Sequence, residues 1–516
     1  MFSNLVAVLL AIVVGSIWLK WRKVKSYWSQ LNVPHQPPNP ILGNLTFLMW
    51  ENPALWMIRL YEQIKAPYVG VWLFWRPALV INDPVIARRV LVKDADNFRN
   101  RLLSSGTSDP IGGLNLFTVN DPHWSAARRR LTSVFTAAKL RSYQSVSIAK
   151  AKLLVERIAI DTKNNVEIDL RSMFADYTTD VFGETTFGVA SNSIMTGDSS
   201  LRYITREFMK FDTFRGLSWT SIFFFPELTQ YFGFKFFPKY IEDSLMHLFR
   251  MTVEQHGGYE KEVTTNRDLI DALLKMKQEA ASEGQGEVKM PMTKTIIHVG
   301  GSWAYGILFN FFTSSQSNIQ NYLDVRRWSP NFMKLINLSF QEKLYQEVAK
   351  VKSSLGEKGF DATTLIEMPY LNATIKETLR KYPPMGWLDR IAAKSYKIDD
   401  NLTIPPGTPI YVNSVAMQRD PKYFPEPEKF IPERFLPENE HEVVPFTFLP
   451  FGDGPRHCIG ERFANQTMRF ALAEVVLNYE IQKLPKSKLP SECRIEAKGF
   501  FLMPGEKMSV QFVPRK

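Results

Sequence analysis

Hydrophobic positions follow two different patterns along the chain, and the contrast between them predicts its main elements. After a glycine-rich stretch near the carboxyl end, Phe463, Phe470 and Leu477 recur every seven positions, which predicts a helix with one buried face. Residues 68–82 are instead rich in valine, isoleucine and aromatic side chains, which is typical of β-strands. The long stretch that follows residue 82 is predicted to be mainly helical.

The first residues form an apolar run that ends in a cluster of cations. The run extends from Leu5 to Leu19, near the lower limit of the roughly 17–25 residues that a membrane-spanning helix needs. Lys20, Arg22, Lys23 and Lys25 follow it, and the positive-inside rule predicts that they stay in the cytosol. A cleaved secretory peptide would carry its charges before the run, and a buried core helix is the other alternative. We predict an uncleaved transmembrane signal anchor at residues 1–20.

The next segment has the composition of a connector. Residues 21–40 combine the cations with Pro34, Pro37, Pro38 and Pro40, which predicts a basic, proline-rich and extended hinge. We find no internal repeat or low-complexity linker beyond it. Residues 41–516 are therefore predicted to form one domain.

Composition narrows the class of protein. With 516 residues, 45% of them hydrophobic, the chain is large enough for an extensive core. Two cysteines allow no disulfide framework, which favours a reducing compartment. A net charge of +11 suits anionic lipid, an acidic protein or nucleic acid. The sequence has neither a zinc-ligand cluster nor a run of five basic residues, so nucleic acid is the weakest of the three.

The stretch from Phe451 to Gly460 concentrates the candidate chemistry. It places Cys458 in a glycine-rich loop that opens the predicted helix, whose free amides and dipole favour an ionised sulfur. The glycines allow the backbone to approach a flat ligand, and the guanidinium of Arg456 suits a carboxylate. A haem iron bound through cysteine needs these features. An isolated cysteine is more often a small buried hydrophobe, which is the alternative.

The pattern F-x-x-G-x-R-x-C-x-G resembles the haem-binding signature of the cytochrome P-450 (haem-thiolate monooxygenase) family. The resemblance implies that Cys458 is the axial ligand of haem b. Trp124 and Arg128 lie four residues apart, hence on one helical face, and match the W-x-x-x-R whose side chains contact a haem propionate. Arg390 and Arg456 match further propionate-binding arginines of the family. An amphipathic helix with a basic edge is the alternative at residues 123–130.

A second family feature lies between these motifs. Glu377 and Arg380 are spaced i, i+3, so their side chains can pair on one helix face. By resemblance to the E-x-x-R and P-E-R-F motifs, they form a buried charge network with Arg434. Such a network is costly unless every charge is paired, so loss of one member is expected to destabilise the haem pocket.

The proton relay of the family is not recognisable. The family carries a glycine, a carboxylate and a threonine on a central helix above the haem. Thr313 is the candidate alcohol, but Phe312 stands where the acid belongs, and Trp303 and Ala304 replace both groups in the other register. Either the protein lacks this relay, or residues near 295–340 reflect an error in the coding sequence.

The resemblance implies a mainly α-helical fold with a small β-rich lobe, in which residues 41–516 are the haem-thiolate catalytic domain. Its closest branch is that of microsomal insect enzymes acting on foreign compounds. Candidate substrate-pocket positions, equally explicable as core, are Leu114, Phe117, Met385, Trp387 and Phe501. The aromatic segment 211–241 is either a core helix or a lipid-dipping loop.

The expected reaction inserts one oxygen atom from O₂ into a lipophilic small molecule at the endoplasmic reticulum membrane, with the catalytic domain on the cytosolic face. Electrons would come from a separate NADPH-cytochrome P-450 reductase, with cytochrome b5 as a further partner, since no flavin or nicotinamide motif is present. Two alternatives remain. One is a haem-thiolate isomerase or dehydratase, which needs no proton relay, and the other is a catalytically impaired haem protein.

Overall fold

The computed structural model describes residues 2–48, 50–107, 109, 112–132, 135–259, 261–263, 270–271, 273–275, 278, 333–484 and 494–515. Thr313 and the rest of the unusual stretch up to residue 332 lie outside this part of the chain. The described helices are α1 (Phe2–Gln30), α2 (Pro53–Gln63), α3 (Pro84–Arg88), α4 (His123–Thr132), α5 (Ala137–Ser142), α6 (Gln144–Lys163), α7 (Leu170–Phe187), α8 (Ser193–Thr196), α9 (Ser200–Phe208), α10 (Thr213–Phe224), α11 (Thr229–Phe232), α12 (Lys239–Gln255), α13 (Met333–Leu355), α14 (Ala362–Ile366), α15 (Pro369–Lys381), α16 (Ser414–Met417) and α17 (Glu461–Asn478).

The described strands form three small sheets. They are β1 (Tyr68–Leu73), β2 (Arg76–Ile81), β3 (Ile168–Asp169), β4 (Leu388–Ile391), β5 (Tyr396–Lys397), β6 (Thr403–Ile404), β7 (Pro409–Val412), β8 (Tyr479–Lys483) and β9 (Ser509–Pro514). The largest sheet has the order β1-β2-β7-β4, in which β2 and β7 run parallel and the other pairs antiparallel. The sheet therefore joins the first hundred residues to a strand more than three hundred positions later.

The amino-terminal helix is longer than its apolar run. It is long and apolar enough to cross a membrane, by length and composition. It continues to Gln30, inside the predicted 21–40 hinge, because its last turns pack on the sheet and bury Trp28 completely. Only the proline-containing part of that segment is extended.

A side-chain amide ties the beginning of the domain to its end. Asn52 caps α2 by accepting a hydrogen bond from the Ala54 amide over 2.9 Å. Its Nδ2 faces the carbonyl oxygens of Glu496, Gly499 and Phe501 at 3.1, 2.9 and 2.9 Å. Residues 496–501 are thereby fixed against α2, the first helix of the domain.

The aromatic segment 211–241 divides into an inner and an outer set. Trp219, Phe223 and Phe224 of α10 are buried, together with Phe236 and Phe237. By contrast, Phe214, Tyr231 and Phe232 are 62%, 76% and 61% exposed. The core-helix interpretation thus describes the buried face of α10, while Phe214 at its start and the later Tyr231 and Phe232 retain the composition of a lipid-facing segment.

One carboxylate connects this segment to the loop before α4. Buried Asp109 accepts the Phe236 amide at 2.7 Å through Oδ2 and the Gly112 amide at 2.9 Å through Oδ1. Its burial raises the pKa of the carboxyl group, while the two amides act in the opposite direction. Ser104 adds a main-chain bond to the Ile222 carbonyl over 3.0 Å.

Candidate active site

The loop before α17 holds Cys458 in a tightly folded turn. The Cys458 amide donates to the Phe451 carbonyl over 2.9 Å, and Asp453 accepts the Gly454 amide over 2.6 Å. Gly454 has φ +72°, and a Cβ built there would lie 1.9 Å from the carbonyl oxygen of Leu91. The loop thus needs glycine at this position both for its backbone conformation and for its close approach to another backbone.

The sulfur of Cys458 lies in the loop three residues before α17, the helix that the sequence predicts to follow it. Burial raises the pKa of the thiol to about 11, although the amides of Gly460 and Glu461 and the charge of Arg128 lower it. Without a bound metal ion, the effect of desolvation on the thiol pKa therefore exceeds the opposing effect of the helix amides. A bound metal ion would reverse that balance, because coordination deprotonates a thiol.

A cavity opens beside Cys458. The residues that line it come from the carboxyl half of the chain and from the region around α4. The lining includes Arg101, Phe117, Trp124, Arg128, Met385, Arg390, Arg456 and Cys458.

Three buried guanidinium groups meet at this cavity. Burial is the main cause that lowers the pKa of Arg390 to about 9 and that of Arg456 to about 8. Repulsion between neighbouring guanidinium groups lowers both further: Arg101 acts on Arg390, and Arg101 and Arg390 act on Arg456. Arg101 is a site residue that the motifs missed. It lies in a loop and outside every motif used in the sequence analysis. Only the folded structure brings it beside Arg390 and Cys458.

The anions around this cluster do not balance it. Asp389 is the nearest carboxylate that the described residues supply, with Oδ1 3.5 Å from a terminal nitrogen of Arg101. Both oxygens of Asp389 and the Nε of Arg101 are buried without a hydrogen-bond partner in the described structure. Asp121 also acts on Arg456, but it is itself paired with Arg99 at 3.0 Å, so the cations outnumber the anions. Arg128 adds a further cation at the cavity wall. An anionic ligand with two carboxylates would offset this excess.

Trp124 and Arg128 lie on the wall of the same cavity, one turn apart on α4. The indole of Trp124 is buried under the guanidinium of Arg456, whose central carbon is 4.3 Å from the ring centroid. Arg456 itself donates to the carbonyls of Arg99 and Val119 at 2.7 and 3.0 Å. Together with a third hydrogen bond, donated to Oδ1 of Asn120 at 3.1 Å, these contacts fix its orientation. The neighbouring His457 pairs with Glu461 at 3.0 Å.

The structure brings Glu377 and Arg380 together on α15, both completely buried. Arg380 donates to Glu377 through Nε and Nη2 at 2.7 and 2.8 Å, a bidentate pair. Its guanidinium also donates to the carbonyl oxygens of Gln418 and Pro427, each at 2.8 Å. Arg434 approaches the same carboxylate, with Nε 3.7 Å from Oε1. This arrangement locks α15 to the segment that precedes the cysteine loop.

The candidate pocket residues separate into two groups. Phe117 and Met385 line the cavity. Trp387 and Phe501 are completely buried in an aromatic cluster instead, with ring centroids 4.7 Å apart for Trp387 and Phe500. Leu114 falls in the loop before α4, but its side chain lies outside the described structure. Thr313 lies outside it as well.

Comparison with known proteins decides the family. A sequence model of the family described as Cytochrome P450 matches residues 33–300 and 335–512. The chain belongs to the cytochrome P450 family. Among the relatives of this P450, "Cytochrome P450 6k1" of Blattella germanica is 30% identical over 495 residues, which cover 94% of this chain and 93% of that protein. "Probable cytochrome P450 6g2" of Drosophila melanogaster is 30% identical and covers 92% of each chain.

Membership in this family settles several expectations. The mainly helical fold with a small β-region and the insect-type resemblance are confirmed. The chain is an oxidoreductase of the monooxygenase type, and the family implies a haem cofactor, a redox partner and lipophilic substrates. The match leaves out residues 301–334, most of the stretch in which the sequence departs from the family pattern.

The described residues of this P450 fit a haem. The tetrapyrrole carries two propionates, which suit the unbalanced cluster formed by Arg101, Arg390 and Arg456. The cavity floor offers a cysteine sulfur, the usual anionic ligand for such an iron.

Proposed function

We propose that this P450 holds haem b through the Cys458 thiolate and inserts one oxygen atom from O₂ into a lipophilic small molecule. The observation that carries the proposal is the coincidence of the cysteine, the excess of buried cations and the cavity at one place in the fold. Bound there, the haem supplies O₂ activation, which thiolate donation favours. The protein contributes ligation, orientation and exclusion of water.

Specific residues divide this work. Cys458 would hold the iron, while Arg101, Trp124, Arg128, Arg390 and Arg456 would bind the propionates. The apolar side chains of Phe117 and Met385 border the space left for the substrate. The bidentate pair of Glu377 and Arg380 would keep the cysteine loop in place without touching the cofactor.

The membrane and the electron donor complete the proposal. Residues 1–20 would anchor the chain in the endoplasmic reticulum membrane, with the cations after Leu19 and the catalytic domain, residues 41–516, on the cytosolic side. A separate NADPH-dependent reductase would deliver electrons, and cytochrome b5 is a second candidate donor. Acidic groups on such partners suit the net charge of +11.

A carbon monoxide difference spectrum of the reduced protein tests the ligand. We expect the strongly red-shifted Soret band of a thiolate complex, its loss in Cys458→Ala, and its retention in Cys493→Ala, which removes the other of the two cysteines. Persistence of the band in Cys458→Ala would refute the assignment. Turnover that requires both the reductase and O₂ would then establish monooxygenation.

A second candidate function is rearrangement or dehydration of an already oxygenated substrate. It is favoured by one observation, the absence of the acid–alcohol pair from a stretch that the family match also leaves out. This chemistry needs neither the proton relay nor the reductase. Conversion of an organic peroxide without reductase, together with no product from reductase and O₂, would favour it over the monooxygenase.

A further inference from the structure

The last turns of α1 form an amphipathic segment outside its apolar run. Trp21, Val24, Tyr27 and Trp28 are partly or wholly buried and follow one another at i, i+3, i+6 and i+7, on one helical face. The cations between them, Lys20, Arg22, Lys23 and Lys25, are exposed. This part of the helix therefore has a protein-facing side and a solvent-facing side.

The protein-facing side fits a socket formed by Gly70, Val71 and Trp72 of β1. The indole Nε1 of Trp28 donates to the Val71 carbonyl over 3.1 Å. Its ring occupies the space over Gly70, where an added Cβ would lie 2.4 Å from the ring. In return, the Nε1 of Trp72 donates to the Val24 carbonyl over 3.0 Å. Two indole hydrogen bonds and a glycine gap thus join the helix to the sheet.

The chain after α1 continues this attachment. The amide of Val33 donates to the Trp28 carbonyl over 2.9 Å, and the Gly70 amide donates to the Pro34 carbonyl over 2.8 Å. The Gln36 amide then donates to the Gly70 carbonyl over 3.3 Å. The segment before the domain is therefore hydrogen-bonded to the edge of the sheet along its length, unlike a free tether.

Helix length shows where this joint would lie relative to a bilayer. The 29 residues of α1 span about 43 Å at about 1.5 Å per residue. A hydrocarbon core is about 30 Å thick, so about 13 Å of the helix, roughly nine residues, extends beyond it. That length corresponds to the turns that carry the cations and Trp28. The socket would consequently sit within about two helical turns of the lipid.

The tip of the β1–β2 hairpin extends the joint to the aromatic segment. The Nε1 of Trp75 donates to the Pro40 carbonyl over 2.8 Å, and its ring centroid is 6.1 Å from that of Trp21. On the other side of the tip, the rings of Phe74 and Phe225 are 5.0 Å apart. The hairpin therefore contacts both the anchor helix and the segment that follows α10.

We propose that α1 and the β1–β2 hairpin form one rigid joint that gives the catalytic domain a single orientation on the bilayer. The inference rests on the proposed membrane anchor. The partner is a phospholipid surface, and the hairpin tip is the part of the domain that the joint holds nearest to it. The basic residues on the solvent-facing side of the joint suit phospholipid phosphates.

Limited trypsin digestion of the full chain in phosphatidylcholine vesicles tests the joint. Trypsin cleaves after Lys and Arg only where the helix opens, so the rate at Lys20–Lys25 reports the open population. We expect the wild-type chain to be protected there. Trp28→Ala and Gly70→Ala are expected to be cleaved about tenfold faster or more, since each removes the packed indole from the socket. Gly359→Ala is the matched control, because its Cβ would meet no atom within 4 Å.

Each outcome has a distinct meaning. Equal cleavage of the wild-type chain and both variants would overturn the joint, as would rapid wild-type cleavage. Should Gly70→Ala fail to fold by circular dichroism, Trp28→Ala decides alone. Failure of the chain to float with the vesicles would refute the anchor instead, and the same digestion in detergent micelles would still test the joint. In oriented bilayers, polarised infrared absorption should show a loss of helix order in Trp28→Ala but not in Gly359→Ala.

Discussion

Glu377→Gln removes the negative member of the buried pair at the centre of α15 while keeping its shape. Arg380 would then carry an unpaired charge in a position with no exposed surface. Its carbonyl partners, Gln418 and Pro427, remain and satisfy some of its N–H groups. They cannot neutralise the charge, so the substitution leaves a cation in a desolvated site.

The cost follows from the burial of both partners. Breaking a buried ion pair by removing one member typically destabilises a protein by about 3–5 kcal/mol. The expected loss for Glu377→Gln is in this range, because the pair is bidentate and the carboxylate also accepts the Ile431 amide at 2.9 Å. Native proteins are stable by only about 5–15 kcal/mol, so the variant should lose much of its stability margin.

Urea unfolding, followed by far-ultraviolet circular dichroism on the chain without haem and by haem absorbance on the loaded chain, measures this loss. Asp400→Asn is the control, since Lys397 and Asp400 form an ion pair of the same spacing at 2.7 Å that is largely exposed. The double variant Glu377→Leu/Arg380→Met should be less damaging than Glu377→Gln alone. Equal midpoints for Glu377→Gln and Asp400→Asn would refute this reasoning.

Three further predictions concern the cavity and its approaches. Gly454→Ala should lower the thermal midpoint and the haem content, because Gly454 has a positive φ and an added Cβ would collide with the backbone of Leu91. Gly460→Ala is its control and should change neither quantity, because its Cβ would meet no atom within 4 Å. Arg101→Gln should speed haem loss to apomyoglobin by about tenfold, since a buried cation pairs with a propionate; an unchanged rate would contradict its role. Asp109→Asn should raise hydrogen exchange of the Phe236 amide about tenfold through loss of one charged acceptor, while unchanged exchange would show that the contact is dispensable.

The cysteine loop and the E-x-x-R pair were recognisable from the sequence because both are local. The turn around Cys458 needs glycine at fixed offsets, and a helix brings residues i and i+3 together wherever it lies. Trp124 and Arg390 lie far from these two motifs in sequence. Each matches a separate motif of the family, so both could also be predicted as site residues. Their placement at one cavity is what the fold adds.

Other features depend on contacts that no local pattern carries. Arg101 is buried beside Arg390 because the loop before α4 crosses the end of β4, a contact between residues nearly three hundred positions apart. Trp28 looks like part of a basic connector, and only the gap over Gly70 makes it a core residue. Trp387 lies between the cavity positions Met385 and Leu388 in sequence, yet it is buried in the aromatic cluster together with Phe501.

The order of the main sheet has a consequence for synthesis on the ribosome. Strand β2 pairs with β7, and Asn52 is bonded to carbonyl groups as far along the chain as Phe501. At about 5–20 residues per second, roughly 20–90 s separate the translation of these partners. During that interval the nascent β1–β2 hairpin has an unpaired edge, and α2 lacks its contacts with residues 496–501. The β1–β2 hairpin and α2 can therefore complete their packing only after the end of the chain has emerged.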